Sequence, residues 1–184
     1  MKKTTIIILA IVAIVAIYLI GTYNSFVGMK QTVDSKWAQV ENQLQRRFDL
    51  VPNLVETVKG LTKQEQEVFG QIADARTRYA GAQTQSDKVT AANQFESSLG
   101  RLLVITENYP NLQSSQLFSD LMVQLEGTEN RIAVERKNYN DTVQKYDTTL
   151  QRVPGGLVAK MFGFTPAEYF QVSEEAQTNP QVKF

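Results

Sequence analysis

The side chains best suited to catalysis or metal binding in this sequence are carboxylates, because its 184 residues include no histidine and no cysteine. This composition removes imidazole bases, thiol nucleophiles and the commonest zinc ligands. Glu96 and Glu126 could pair as carboxylates do in di-metal helical bundles, but those sites also use Glu-x-x-His pairs. A carboxylate pair for glycoside hydrolysis needs a cleft, which long amphipathic helices do not offer. We therefore expect no enzymatic activity, no metal site and no cofactor.

The same carboxylates can instead belong to a polar layer across a helical core. Glu126 and Asn130 are four residues apart, so they share a helix face, and Glu129 lies in the same charged run. Equal depths on the other predicted helices fall near Asn42 and Glu96. The predicted polar core layer consists of Asn42, Glu96, Glu126, Asn130 and Arg131. A buried and fully hydrogen-bonded layer fixes helix pairing at some cost in stability, so we interpret it as structural.

A charged cluster flanks the turn before Pro52 and is a candidate interface for a partner. It consists of Arg46, Arg47, Asp49 and Asn53. One interpretation is a docking patch for an acidic protein. The alternative is a structural role at the helix end, because cations near a helix C-terminus offset its dipole and bond its last carbonyl groups.

The C-terminal tail, residues 154–184, is apolar and aromatic between Leu157 and Phe164. Thr165, Pro166 and Glu168 then form a capping-box pattern that predicts a helix start. One interpretation is a segment lying on the bilayer surface. Its contacts with the membrane would come from Lys160, Phe162, Phe164, Tyr169 and Phe170. The other interpretation is that these aromatic rings pack onto the base of a helical bundle, and both stay open.

Residues 1–23 have the pattern of a transmembrane anchor. The 20 residues from Thr4 to Tyr23 would span about 30 Å as a helix, enough to cross a bilayer. The alanines at positions 10, 13 and 16 are three apart, so no signal-peptidase site of the Ala-x-Ala type is present and we expect an uncleaved anchor. Lys2 and Lys3 place the N-terminus in the cytoplasm by the positive-inside rule, with the bulk of the chain outside.

Four amphipathic stretches follow the anchor and predict an all-α fold. The first continues the anchor helix, with apolar residues in steps of three and four from Val33 to Phe48. The first predicted helix ends near residue 50, and the second runs from 52 to 82. The third runs from 84 or 86 to a point before Pro110, and the fourth runs from 114 to 153. Short connections predict an up-down-up-down antiparallel four-helix bundle over residues 24–153.

The charge balance limits the kind of partner. Lys plus Arg and Asp plus Glu number 19 each, so the net charge is zero. A nucleic-acid binder needs a basic face, so we expect none, and no small-molecule substrate is evident. The expected partners are the lipid bilayer and either another protein or further copies of this chain.

Several runs in the chain resemble the LemA family of bacterial membrane proteins. They are residues 46–58, Glu107 to Leu112, residues 125–133 with Tyr139-Asn140, Phe162-Gly163-Phe164 and the terminal Val182-Lys183-Phe184. The resemblance covers nearly the whole chain. It implies one transmembrane helix and a four-helix bundle in a bacterial inner membrane, and it implies no agreed activity.

Together these features predict a non-enzymatic, membrane-anchored scaffold or adaptor that presents a helical bundle to protein partners. The alternative is a self-assembling protein that organises or remodels the membrane together with lipid.

Overall fold

The computed structural model describes residues 2–57 and 66–171, and every regular element in these ranges is an α-helix. The helices are α1 (Lys2–Phe48), α2 (Val51–Thr57), α3 (Gln66–Gly81), α4 (Gln85–Thr106), α5 (Pro110–Gln113), α6 (Gln116–Gln151) and α7 (Gly155–Phe162). The all-α prediction is confirmed. The predicted count of four is not, because seven helices occur in the described residues and three of them have eight residues or fewer.

The chain forms two compact units, each built from separate stretches of sequence. The first unit consists of Met1–Gln39 and Lys137–Tyr169, and the second consists of Val40–Arg136 and Phe170–Phe184. Both α1 and α6 therefore contribute residues to both units.

Helix α1 is a single helix of 47 residues, as the sequence predicted. An 18-residue window near its N-terminus has a mean hydropathy of 2.8 and is 0 % buried. Its length and composition are sufficient to cross a membrane. The helix continues past this window without interruption and ends in a turn that contains Arg46 and Arg47.

The core of the second unit contains an aromatic cluster contributed by three helices. The Phe48 ring lies 4.5 Å from the Tyr79 ring and 4.8 Å from the Phe95 ring, measured between centroids. Burial, and then the neighbouring Glu41 carboxylate, raises the pKa of Tyr79 to about 12. Thr84 caps α4 by accepting a hydrogen bond from the Asp87 amide, which confirms one of the two predicted helix starts.

The connections between the long helices differ in part from the prediction. The predicted second helix corresponds to α2 and α3, and its apolar positions Val58 and Leu61 lie outside the described residues. Helix α5 begins at Pro110 and was not predicted. Helix α6 corresponds to the last of the predicted helices. Its buried positions recur at helical spacing and are Phe118, Leu121, Leu125, Thr128, Ile132, Tyr139, Val143, Tyr146 and Leu150.

A tight corner in the first unit separates α6 from α7. The sequence predicted the end of α6 near Pro154, but it did not predict α7. A Cβ atom on Gly156 would lie 2.5 Å from the Leu150 carbonyl oxygen, so the corner requires glycine there. Gly163 ends α7 with a φ of 76°, a left-handed conformation that glycine adopts without a steric penalty.

The segment after α7 has no helix from Phe164 to Gln171, so the predicted helix start at Thr165 is wrong. Side chains of α6 satisfy its backbone instead. The Tyr146 hydroxyl donates to the Thr165 carbonyl oxygen at 3.1 Å, and the Tyr139 hydroxyl donates to the Glu168 carbonyl oxygen at 2.6 Å. The Ala167 amide donates to the Asp147 carboxylate at 3.1 Å. Because these groups are paired, the segment does not need helical hydrogen bonds.

Candidate functional site

Arg47 is the centre of a cluster of charged side chains in the second unit. Its side chain lies in the last turn of α1, and the residue is only 4 % exposed. Its Nη1 donates to Glu96 of α4 at 2.5 Å and also to Glu129 of α6. The guanidinium also lies 5.3 Å from the centre of the Phe95 ring. One cation thus ties three helices together.

The prediction that Arg47 faces a partner at the surface is therefore wrong. Arg47 is three residues after Leu44 and seven after Val40, which places it on the buried stripe of α1. Arg46, Asp49 and Asn53 are exposed, and Asp49 accepts a hydrogen bond from Gln45 at 2.8 Å. Their role in partner binding stays a prediction.

We define the charge cluster as Arg47, Glu96, Glu129 and Arg136. Burial shifts the pKa values of two of its members, Glu129 and Arg136. Burial is the largest influence on Glu129 and raises its pKa, and the Glu96 carboxylate acts in the same direction against Arg47 and Arg136. For Arg136, by contrast, burial lowers the pKa, although the carboxylates of Glu129 and Glu96 act to raise it. The pKa values of Glu129 and Arg136 are therefore set by burial together with the neighbouring charges of the cluster.

The polar layer in the structure has a different membership from the predicted one. Of the predicted residues only Glu96 belongs to it, whereas Asn42, Glu126, Asn130 and Arg131 are exposed. The cause is the rotation of α6. Thr128 and Ile132 face the core, so the adjacent Glu129 reaches Arg47 while the other polar side chains of that run point to solvent.

The structure buries some of the predicted membrane contacts of the tail and leaves others exposed. Phe170 is only 3 % exposed, and the Arg136 guanidinium lies 4.5 Å from its ring centre, so its predicted membrane contact is wrong. The buried Phe170 ring thus makes a cation–π contact with Arg136. Lys160, Phe162 and Tyr169 are exposed, and Phe164 is half-buried with its ring 5.3 Å from that of Phe26.

An open groove lies between α4 and α6 in the second unit, and we call it the α4–α6 groove. Its volume is about 540 Å³. It is lined by apolar side chains of both helices and by the carboxylates Glu96, Glu107, Glu126 and Glu129. Arg47 is the cation that lines it. Within residues 2–57 and 66–171, no three side chains of the types His, Cys, Asp and Glu are grouped so as to hold a metal ion.

Comparison with known proteins gives a family match and individual relatives that agree with each other. The LemA family pattern matches residues 36–184. The chain is 29 % identical over 197 residues to the magnetosome proteins MamQ 1 and MamQ 2 of Paramagnetospirillum magneticum, covering 93 % of this chain and 72 % of each relative. It is 20 % identical over 156 residues to Protein LemA of Metamycoplasma hominis, covering 84 % of this chain and 71 % of that protein. Since the family pattern extends over most of the sequence, the chain belongs to the LemA family.

Proposed function

We propose that this protein is a membrane-anchored, non-enzymatic helical scaffold that presents its folded helices to a protein partner. The observation that carries the proposal is the composition of α1. Its N-terminal part is an apolar window with no buried residue, and its C-terminal turn holds the buried Arg47. An exposed apolar window of this length is stable in lipid and unstable in water.

The same helix and the family support the proposed location. We place the apolar window in a bacterial inner membrane as an uncleaved single span, with the N-terminus in the cytoplasm because of Lys2 and Lys3. In this proposal the long helices α1, α3, α4 and α6 form the predicted antiparallel bundle.

A second candidate function, organisation of the membrane together with lipid, is favoured by the surface of α7. Leu157 and Met161 are four residues apart and are 66 % and 60 % exposed. The neighbouring Phe162 ring lies 5.0 Å from the ring of Tyr23, the last residue of the predicted anchor. An exposed apolar helix face beside a membrane span is suited to the bilayer interface, where Lys160 would reach the head groups.

Crosslinking in native membranes tests the scaffold proposal, and the sequence simplifies it because there is no natural cysteine. Single cysteines are placed at Asn53, Gly70 and Gly100 in the second unit and at Leu157 in α7. All four positions are exposed. A thiol-reactive photocrosslinker is attached in intact cells, and the products are identified by mass spectrometry.

The two candidate functions give different products. The scaffold proposal expects one dominant foreign protein at one or more of the three positions in the second unit. Products that contain only further copies of this chain, or lipid adducts at Leu157 alone, would reject the scaffold and favour membrane organisation.

A further inference from the structure

We propose that the α4–α6 groove is a binding site for a cationic amphipathic peptide segment of a partner protein. This inference rests on the proposed scaffold function, because it assigns the partner a binding site and a chemical class. Four observations support it: the apolar floor of the groove, its charge, its length and the space above Gly100.

The floor of the groove is apolar and formed by buried side chains. Leu99 of α4 and Phe118 and Leu125 of α6 are buried and line it. Leu103 lines it as well and keeps 39 % of its surface exposed. The volume of about 540 Å³ falls within the range of about 300–1,000 Å³ that is usual for ligand sites. An apolar side chain entering the groove would therefore leave water for a preformed surface.

The charge of the groove selects the sign of the ligand. Glu107 and Glu126 are exposed on its two walls, and Glu96 and Glu129 line it beside Arg47. Arg47 is already engaged by two of these four carboxylates. Glu107 is also the C-terminal cap of α4, where the helix dipole favours a cation. A ligand with Lys or Arg beside its apolar residues is attracted, and an acidic ligand is repelled.

The length of the groove fits a helical ligand. Its α4 wall runs from Glu96 to Glu107, which corresponds to about 16 Å along the helix axis. That distance matches about three turns of a bound helix, whose anchors would recur at positions i, i+3 or i+4, and i+7. The α4–α6 groove therefore suits an amphipathic helix docked between two helices.

The space above Gly100 allows close approach of such a ligand and provides a selective test. Gly100 lines the groove, and a Cβ atom there would meet no atom within 4 Å. Gly100→Leu therefore introduces an apolar side chain at the groove from a position where its Cβ atom has free space. Gly70 of α3 is a matched control, because it is also a helical glycine with nothing within 4 Å and it does not line the groove.

The experiment uses the full chain in lipid nanodiscs and a phage-displayed library of random peptides of about 16 residues. Enriched peptides are synthesised with a fluorescent label, and their dissociation constants are measured by fluorescence anisotropy. We expect the enriched peptides to carry net positive charge and apolar residues at helical spacing. Their affinity should fall about tenfold or more in Gly100→Leu and by a similar factor in the double variant Glu107→Lys with Glu126→Lys. Gly70→Leu should leave it unchanged.

Each other outcome contradicts the inference. Enrichment of neutral or acidic peptides, no enrichment, or equal binding to the Gly100→Leu and Gly70→Leu variants would exclude a cationic-peptide site in this groove. Self-association that is weakened by Gly100→Leu would assign the groove to a second copy of the chain instead. A foreign protein crosslinked at Asn53 or Gly70, combined with no peptide binding at the groove, would overturn this inference while leaving the scaffold proposal intact.

Discussion

Two neighbouring arginines at the end of α1 have different surroundings because a helix turns about 100° per residue. Arg46 is exposed, whereas Arg47 is buried between Glu96 and Glu129. We expect Arg47→Ala to lower the free energy of unfolding by roughly 3 kcal/mol. This is the lower end of the range for breaking a buried pair, because the two carboxylates remain about one-third exposed.

The matched control is Arg46→Ala, which should change the free energy of unfolding by less than about 0.5 kcal/mol. Both variants are measured by urea unfolding followed by circular dichroism in detergent micelles. Equal effects of the two substitutions would show that the ion pairs of Arg47 do not hold the helices together.

The raised pKa of Glu129 predicts a pH dependence of stability with a definite sign. Burial, supported by Glu96, raises this pKa above its ordinary value of 4.5. The contribution of Glu129 to stability is therefore full below about pH 4.5 and is lost as the pH rises through the folded-state pKa. Relative to a Glu129→Gln variant, the natural chain should lose stability as the pH rises above about 4.5.

Urea unfolding of both chains at a series of pH values from about 4.5 upward provides the measurement. A stability difference that stays constant, or that favours the natural chain increasingly as the pH rises, would show that attraction to Arg47 equals or outweighs burial.

Some of this chemistry could be read from the sequence and some could not. Arg47 lies at stripe spacing from Val40 and Leu44, so its burial was a readable signal. The choice of Glu129 over Glu126 and Asn130 was not readable, because it depends on the rotation of α6 about its axis by a fraction of a turn. Spacing alone shows which residues share a face, and tertiary packing decides which face is inside.

At the scale of elements, the corner between α6 and α7 depends on one glycine. The Cβ atom of a Gly156→Ala variant would meet the Leu150 carbonyl oxygen at 2.5 Å, a backbone contact that cannot be relieved by a side-chain rotation. We expect this substitution to cost about 2 kcal/mol. It should also shift the fluorescence of Trp37, which packs against Tyr139 in the same unit.

Gly155→Ala is the control for this prediction, since its Cβ atom would make only ordinary contacts, the nearest at 3.6 Å from Phe26 and from the Thr149 carbonyl oxygen. Thermal unfolding followed by Trp37 fluorescence compares the two variants. A Gly156→Ala chain as stable as the Gly155→Ala chain would contradict the tight geometry of the corner.

The long helices were predictable because their apolar residues repeat at helical spacing over many turns, as in α1 and α6. The lack of a helix in the segment after α7 was not predictable, for a physical reason. Its local sequence favours a helix at Thr165, but the hydroxyl groups of Tyr139 and Tyr146 and the carboxylate of Asp147 pair with its backbone. Those partners lie 19 to 29 residues away in sequence, beyond the reach of a local pattern.

At the scale of the whole molecule, we propose that an apolar membrane span anchors folded helices that bind a partner. The net charge of zero gives no general attraction to nucleic acid or to a membrane surface. Recognition must therefore come from local features. We propose two of them, the acidic α4–α6 groove for a partner peptide and the apolar face of α7 for the bilayer interface.

Thiol accessibility measures whether the N-terminal span is embedded in the membrane while the folded helices lie outside the bilayer. Single-cysteine variants Ile11→Cys and Arg46→Cys are treated with a membrane-impermeant maleimide in membrane vesicles opened to both faces, with and without detergent. We expect the cysteine at position 11 to be protected until detergent is added and the one at position 46 to react in both conditions. Equal labelling of the two positions without detergent would show that the apolar part of α1 is not in the bilayer and would overturn the proposed membrane anchor.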